Sequence, residues 1–270
     1  MYTAWWMIPS LWCIDVAIAA LCWGVLIAAL FGITMLTFGP LLLLFGLVWS
    51  YTLFSRVFRS LEGSMIMHAD YYRQHAFPML LLALCSLAAT LWLLFFVVGN
   101  VLISFFIIPF IVSIIGRVPF LRKMPYLREL AQAAAYVFAC AVPAYYYGFV
   151  YTPIGLLYNS HLWCLTCLFF LFNIERESPV SLSEGEQKAA WVPAGLLVLF
   201  IPCAYHAFFG DRGGYEQNFY TVLCIGAVAL HMLSSWRAKC EPSLGFALSW
   251  CFMTMPALLG ILFFAPETWF

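Results

Sequence analysis

Three stretches of the chain, residues 16–55, 76–116 and 130–174, run for 40, 41 and 45 positions without a single Asp, Glu, Lys or Arg. As one continuous helix each would extend about 60 Å or more at 1.5 Å per residue, twice the roughly 30 Å of hydrocarbon that a membrane-spanning helix must cross. Each is therefore read as a pair of helices. Each also carries a turn-forming break: Thr37-Phe38-Gly39-Pro40, Gly99-Asn100, and the interval from Gly148 to Pro153. Three shorter charge-free stretches, 189–210, 217–236 and 242–266, hold 22, 20 and 25 positions and are single spans. Three pairs and three singles predict an all-α integral membrane protein with about nine transmembrane helices in one bundle. Residues 1–270 then form a single polytopic domain, because the longest polar segment, Glu175 to Lys188, is far shorter than the roughly 50 residues an independent domain needs.

Composition excludes the soluble alternative: 65% of the residues are hydrophobic, 9% are charged, and the mean hydropathy is +0.97. Twelve basic and twelve acidic side chains cancel, so nothing points to a nucleic-acid partner. There is no phosphate-binding glycine loop, no nucleophile elbow and no His-Glu-x-x-His run. Nine of the ten cysteines lie in apolar runs, where a thiol acts as a small hydrophobe, and no structural disulfide is expected. Cys164-x-x-Cys167 has redox spacing but sits in an apolar helix, so core packing is its expected role.

Basic residues set the orientation, since they are retained on the cytoplasmic side. With nine spans, 11 of the 12 fall in the connections after helices 2, 4, 6 and 8, and only Arg212 falls opposite. The amino terminus is therefore expected in the cytoplasm and the carboxyl terminus across the membrane. The first charged residue is Asp15, with no basic segment before it, which argues against a signal peptide. Tyr145-Tyr146-Tyr147, near an expected helix end, reads as an interfacial aromatic belt.

Two of the cytoplasmic connections are long and polar, from about 55 to 75 after helix 2 and from about 173 to 188 after helix 6. Lying four helices apart, they suggest two four-helix units with a ninth helix appended. A bundle that closes on itself would bring Ser55, Arg56, Arg59, Asp70 and Arg73 of the first cap towards Asn173, Glu175, Arg176 and Glu177 of the second, over one cavity mouth.

This organisation resembles the UbiA-type intramembrane prenyltransferase superfamily. Tyr51 to Arg59 (YTLFSRVFR), followed by Asp70 to His75 (DYYRQH), is similar to the first family motif and the basic run before helix 3. The stretch from Arg117 to Pro143, including Leu121-Arg122-Lys123-Met124-Pro125, is similar to the family's basic turn and fifth helix, and Leu171 to Glu177 (LFNIERE) to its second motif. The resemblance implies a UbiA-like bundle whose partners are membrane lipids and whose ligand is an isoprenoid diphosphate or related lipid, with transfer of a prenyl group as the activity. It implies that Ser55, Arg56, Arg59, Asp70, Arg73, Arg122, Lys123, Asn173 and Arg176 bind the substrate. Glu175 or Glu177 would support a metal or remove a proton.

The family holds magnesium with aspartates in both motifs, and here the chain departs from it. Mg²⁺ wants hard oxygen ligands, yet the matching positions of the first motif carry Ser55 and Arg59, with no carboxylate before Glu62. Asn173, Glu175 and Glu177 still offer oxygens in the second. Magnesium is expected only if the protein turns over, and a metal-independent phosphate site built on guanidinium groups is the reading that fits the arginines. Two other classes stay open. A small-molecule permease would use Asp15 and the histidines in or near the spans, His161, His206 and His231, as its pathway. A structural or assembly subunit of a larger membrane complex would need no site at all.

Overall fold

A computed structural model of the chain describes residues 7–33, 36–61, 69–97, 126–147, 159–177, 184–210, 214–237 and 242–264. Among the described residues the fold is entirely helical, with eleven helices and no strand. In chain order they are α1 (Ile8–Leu11), α2 (Ile14–Leu30), α3 (Phe38–Leu61), α4 (Ala69–Gln74), α5 (Ala76–Val97), α6 (Leu127–Cys140) and α7 (Val142–Tyr146). There follow α8 (Ser160–Glu177), α9 (Glu184–Phe209), α10 (Gly214–Arg237) and α11 (Pro242–Phe264).

Among the described residues, four segments are long and apolar enough to cross a membrane: Phe38–Leu61, Ala76–Phe95, Val192–Phe209 and Gly214–Trp236. Ile14–Leu30, Ser160–Glu175 and Leu248–Phe263 are shorter apolar helices. The expected fourth span, and the breaks at Gly99-Asn100 and at Gly148 to Pro153, lie outside the described residues.

The helix limits differ from the sequence reading in two respects. The first break comes at Gly32 rather than at Thr37: Gly32 adopts φ +72°, and the N–H groups of Gly32 and Ile33 donate to Ala29 O (2.9 Å) and Ala28 O (3.1 Å). Glycine closes the helix because the left-handed conformation carries no Cβ penalty there. The cap segments expected as loops are largely helical: α3 continues through Leu61, α8 through Glu177, and α9 begins at Glu184. Between Pro40 and Leu61 the only potential breaker is Gly46, which costs a membrane helix little, so the helix does not stop where its charges begin. Charge marks the limit of the apolar segment, not the limit of the helix.

α2 sits at the centre, packed against α3, α6, α7, α10 and α11. It is apolar on every side, as a helix surrounded by others must be, with Trp23 and Ile27 fully buried. Trp23 Nε1 donates to Met253 O of α11 at 3.0 Å, which removes the one polar atom of that ring from the apolar interior. Close approaches are made by glycine. A Cβ on Gly24 would lie 2.5 Å from Leu44 Cδ2 and 3.1 Å from the backbone oxygen of Cys140, so the glycine lets a leucine of α3 and the backbone of α6 come close to α2. α5 and α9 lie on the outside and expose large apolar side chains such as Phe95, Trp92, Phe208 and Phe209.

The tyrosine run is not a simple surface belt. Tyr145 is buried in the core, and the Tyr147 hydroxyl accepts from Thr37 N at 2.7 Å, tying α7 to the segment before α3. Tertiary contacts have claimed these rings because the break at Ala141-Val142-Pro143 turns α7 back onto α2 and α3.

Candidate functional site: a cavity between α3, α6 and α8

One face of α3 carries the polar groups. Tyr51, Ser55 and Arg59 stand four positions apart and Thr52 three before Ser55, so they share a stripe, and Leu47 and Val48 continue it in apolar form. With Arg56 they line a cavity of about 120 Å³. The facing wall comes from α6, with Gln132, Ala135, Tyr136 and Ala139 again at helical spacing, and from Phe169 and Asn173 of α8. Val16 of α2 and Trp250 of α11 close it. Residues from the first cap and from the second therefore share one cavity, 114 positions apart in the case of Arg59 and Asn173.

The cavity is divided by chemistry. Arg56, Arg59, Ser55, Asn173 and Gln132 supply charge and hydrogen-bonding groups, whereas Val16, Leu47, Val48, Phe169 and Trp250 supply apolar and aromatic surface. Tyr136 stands between the two, its ring against Phe169 (centroids 4.6 Å) and Trp250 (5.4 Å) and its hydroxyl donating to Val16 O at 3.2 Å. Among the described residues, two arginines and no carboxylate line this space. In a low-dielectric interior such a site attracts an anion far more strongly than the same charges would in water.

The two arginines are not equivalent. Arg56 is only 8% exposed, and its Nη1 donates to Ser10 O and to the Tyr72 hydroxyl, the latter at 2.9 Å. Tyr72 passes the connection on by donating to Leu11 O at 2.7 Å, and Trp49 Nε1 donates to Trp12 O at 2.7 Å. Three successive carbonyls at the end of α1 are thus satisfied by side chains from α3 and α4. Asp15, 9% exposed at the start of α2, acts electrostatically on Arg56, so the acid in the first span has a basic partner. Burial pushes the Tyr72 hydroxyl above its usual range, against the opposing charge of Arg56, so it remains a protonated donor. Arg59 sits one turn further along, half-buried in the cavity wall.

The remaining expected residues part company. Asp70 and Arg73 pair with each other at 3.4 Å on the exposed surface of α4, and Arg73 Nε donates to Ser60 O at 2.9 Å; neither lines the cavity. Their role in the described fold is to tie α4 to the end of α3. Glu175 is buried, 6% exposed, but does not line the cavity. Glu177 is two residues further along the same helix. The side chains of Arg176 and Glu177, together with Arg122 and Lys123, lie outside the described residues.

No family model, curated protein or solved structure matches the chain.

The cavity does not fit the magnesium cluster implied by the resemblance. Ser55 and Arg59 occupy the positions where hard oxygen ligands are needed, and among the described residues no three His, Cys, Asp or Glu side chains gather closely enough to hold a metal ion. What the arrangement can do is bind: guanidinium, hydroxyl and amide groups can hold phosphoryl oxygens while the aromatic wall takes apolar surface. Sequence reasoning missed Gln132, Tyr136 and Trp250. The first two were accessible as a helical stripe with Ala135 and Ala139; Trp250, arriving from the last helix, carries no such signal.

Proposed function

We propose that this is a UbiA-like integral membrane protein that binds an isoprenoid or related lipid through its diphosphate, without the magnesium-dependent catalysis usual in that superfamily. The observation that carries this reading is the cavity in which Arg59 and Ser55 of the first motif face Asn173 of the second across an apolar, aromatic wall. At about 120 Å³ the cavity is small for a ligand pocket, so in this reading it takes the phosphate head group and the isoprenoid chain runs into the bilayer. In this reading nine helices cross the membrane, the amino terminus is cytoplasmic, the carboxyl terminus lies opposite, and the cavity belongs to the cytoplasmic half. Arg59 is the principal phosphate ligand, Ser55 and Asn173 complete the polar end, and Arg56 adds charge while its bonds to α1 and α4 hold it in place. Asp15, engaged with Arg56, acts in this reading as a structural counter-charge and not as a step in a transport pathway.

The test is the melting temperature of the detergent-purified protein with long-chain prenyl diphosphates, with and without Mg²⁺, since a ligand that binds only the folded state raises it. Stabilisation is expected without Mg²⁺, and Arg59→Ala is expected to weaken binding at least about tenfold, the loss of one charge-assisted contact. Full binding by Arg59→Ala would sink the reading, and a strict need for Mg²⁺ would overturn its metal-independent part.

A further inference from the structure

The cysteine pair read from the sequence as Cys164-x-x-Cys167 finds a different partner in the fold. α8 and α9 pack against each other, and their register is marked by Gly195, where an added Cβ would lie 2.6 Å from Leu171 Cδ2. Two turns from this contact, back along α8 and forward along α9, Cys164 comes opposite Cys203. The two side chains are therefore neighbours across the α8–α9 contact. One turn nearer the helix ends the same register is marked again. The Tyr220 ring of α10 contacts His161 of α8 and His206 of α9, with centroids 4.9 Å away in each case. Cys203 is buried, Cys164 is half-buried, and Cys167 is exposed.

We propose that Cys164 and Cys203 are an oxidisable pair, a modification site at which peroxide converts two thiols on neighbouring helices into a disulfide that staples α8 to α9. Cys164 reacts first, being the more accessible of the two and about 6 Å, one turn, from the start of α8. Its sulfur, losing its proton, attacks one peroxide oxygen; the O–O bond breaks and the departing hydroxide takes up a proton as water, leaving a sulfenic acid on Cys164. The Cys203 sulfur then attacks that sulfur, the S–O bond breaks, and a second water leaves. Two thiols have lost two protons and two electrons, and hydrogen peroxide has been reduced to two molecules of water. The staple would hold the helix that carries Phe169 and Asn173, whose cavity end lies about 14 Å along α8 from Cys164. It is independent of what occupies that cavity.

The experiment is peptide mapping of the full-length purified protein after hydrogen peroxide, with remaining thiols alkylated and no reductant present. The expected product in the wild-type chain is a peptide containing Cys164 joined to one containing Cys203, separated again by dithiothreitol. Cys167→Ser and Cys224→Ser are expected to retain the link, and Cys203→Ser to abolish it. A link from Cys164 to Cys167, a link from Cys203 to Cys224, oxidation only to sulfinic or sulfonic acid, or unreacted thiols would each overturn the proposal. The wild-type map decides it, so a variant that fails to fold leaves the outcome intact.

Discussion

Arg56 and Arg59 stand three positions apart and look alike in the sequence, yet they work differently. Arg56 joins the end of α1 to Tyr72, while Arg59 offers its charge to the cavity. Tyr72 is the more diagnostic member of the knot, since its hydroxyl accepts from Arg56 and donates to Leu11 O. Tyr72→Phe removes both bonds and leaves a buried guanidinium and a carbonyl short of a partner, at an expected cost of about 1–3 kcal/mol, to be read from thermal denaturation in detergent. The same residue sets a pH dependence. Its hydroxyl is raised in the folded state, mainly by burial, so its contribution to stability is fully present below the ordinary tyrosine value of about 10 and is lost as pH rises beyond it. Stability is therefore expected to fall above about pH 10, and less steeply in Tyr72→Phe than in the wild type. Equal slopes in the two proteins would contradict this assignment.

Among the helices, close packing is controlled by single atoms. A Cβ on Gly46 would collide with Thr90 Oγ1, and Thr90 is held by its own bond to Ser86 O at 2.7 Å, so it cannot simply turn aside. Gly46→Ala is expected to push α3 and α5 apart at a cost of about 1–3 kcal/mol. Most of that loss should be recovered in Gly46→Ala combined with Thr90→Ala, which removes the obstructing hydroxyl. A double-mutant cycle of melting temperatures checks this, and additive losses would show that the contact does not limit the approach. Helix identity was largely legible here because an apolar run of about 20 residues has few alternatives. Helix limits were less so: polar side chains of the caps stay on helices that continue beyond the apolar segment, and Gly32 ends α2 ahead of the more conspicuous Phe38-Gly39-Pro40.

For the molecule as a whole, the proposed topology predicts that a reporter fused to the amino terminus responds to cytoplasmic conditions and one fused to the carboxyl terminus responds to the opposite compartment. Both ends on one side would require an even number of spans and would undo the orientation argument built on the basic residues. The shared cavity was legible in outline, since two polar segments four helices apart suggested a common mouth, and Arg59 and Asn173 do line one space. Its membership was not. Asp70 and Arg73 are drawn to each other and to the end of α3, and Glu175 is buried away from the cavity wall. Trp250 and Val16 arrive from distant parts of the chain.

The sequence by itself determined the helical class and the apolar segments, because these depend on local periodicity and on the cost of placing charge and unpaired backbone in hydrocarbon. Only the tertiary structure decided which arginine is tied into a buried knot, which faces a cavity, and which cysteine meets Cys164. Those outcomes depend on how helices far apart in the chain are rotated and registered against each other. That choice is made by packing at positions such as Gly24, Gly46 and Gly195, and no local pattern encodes it.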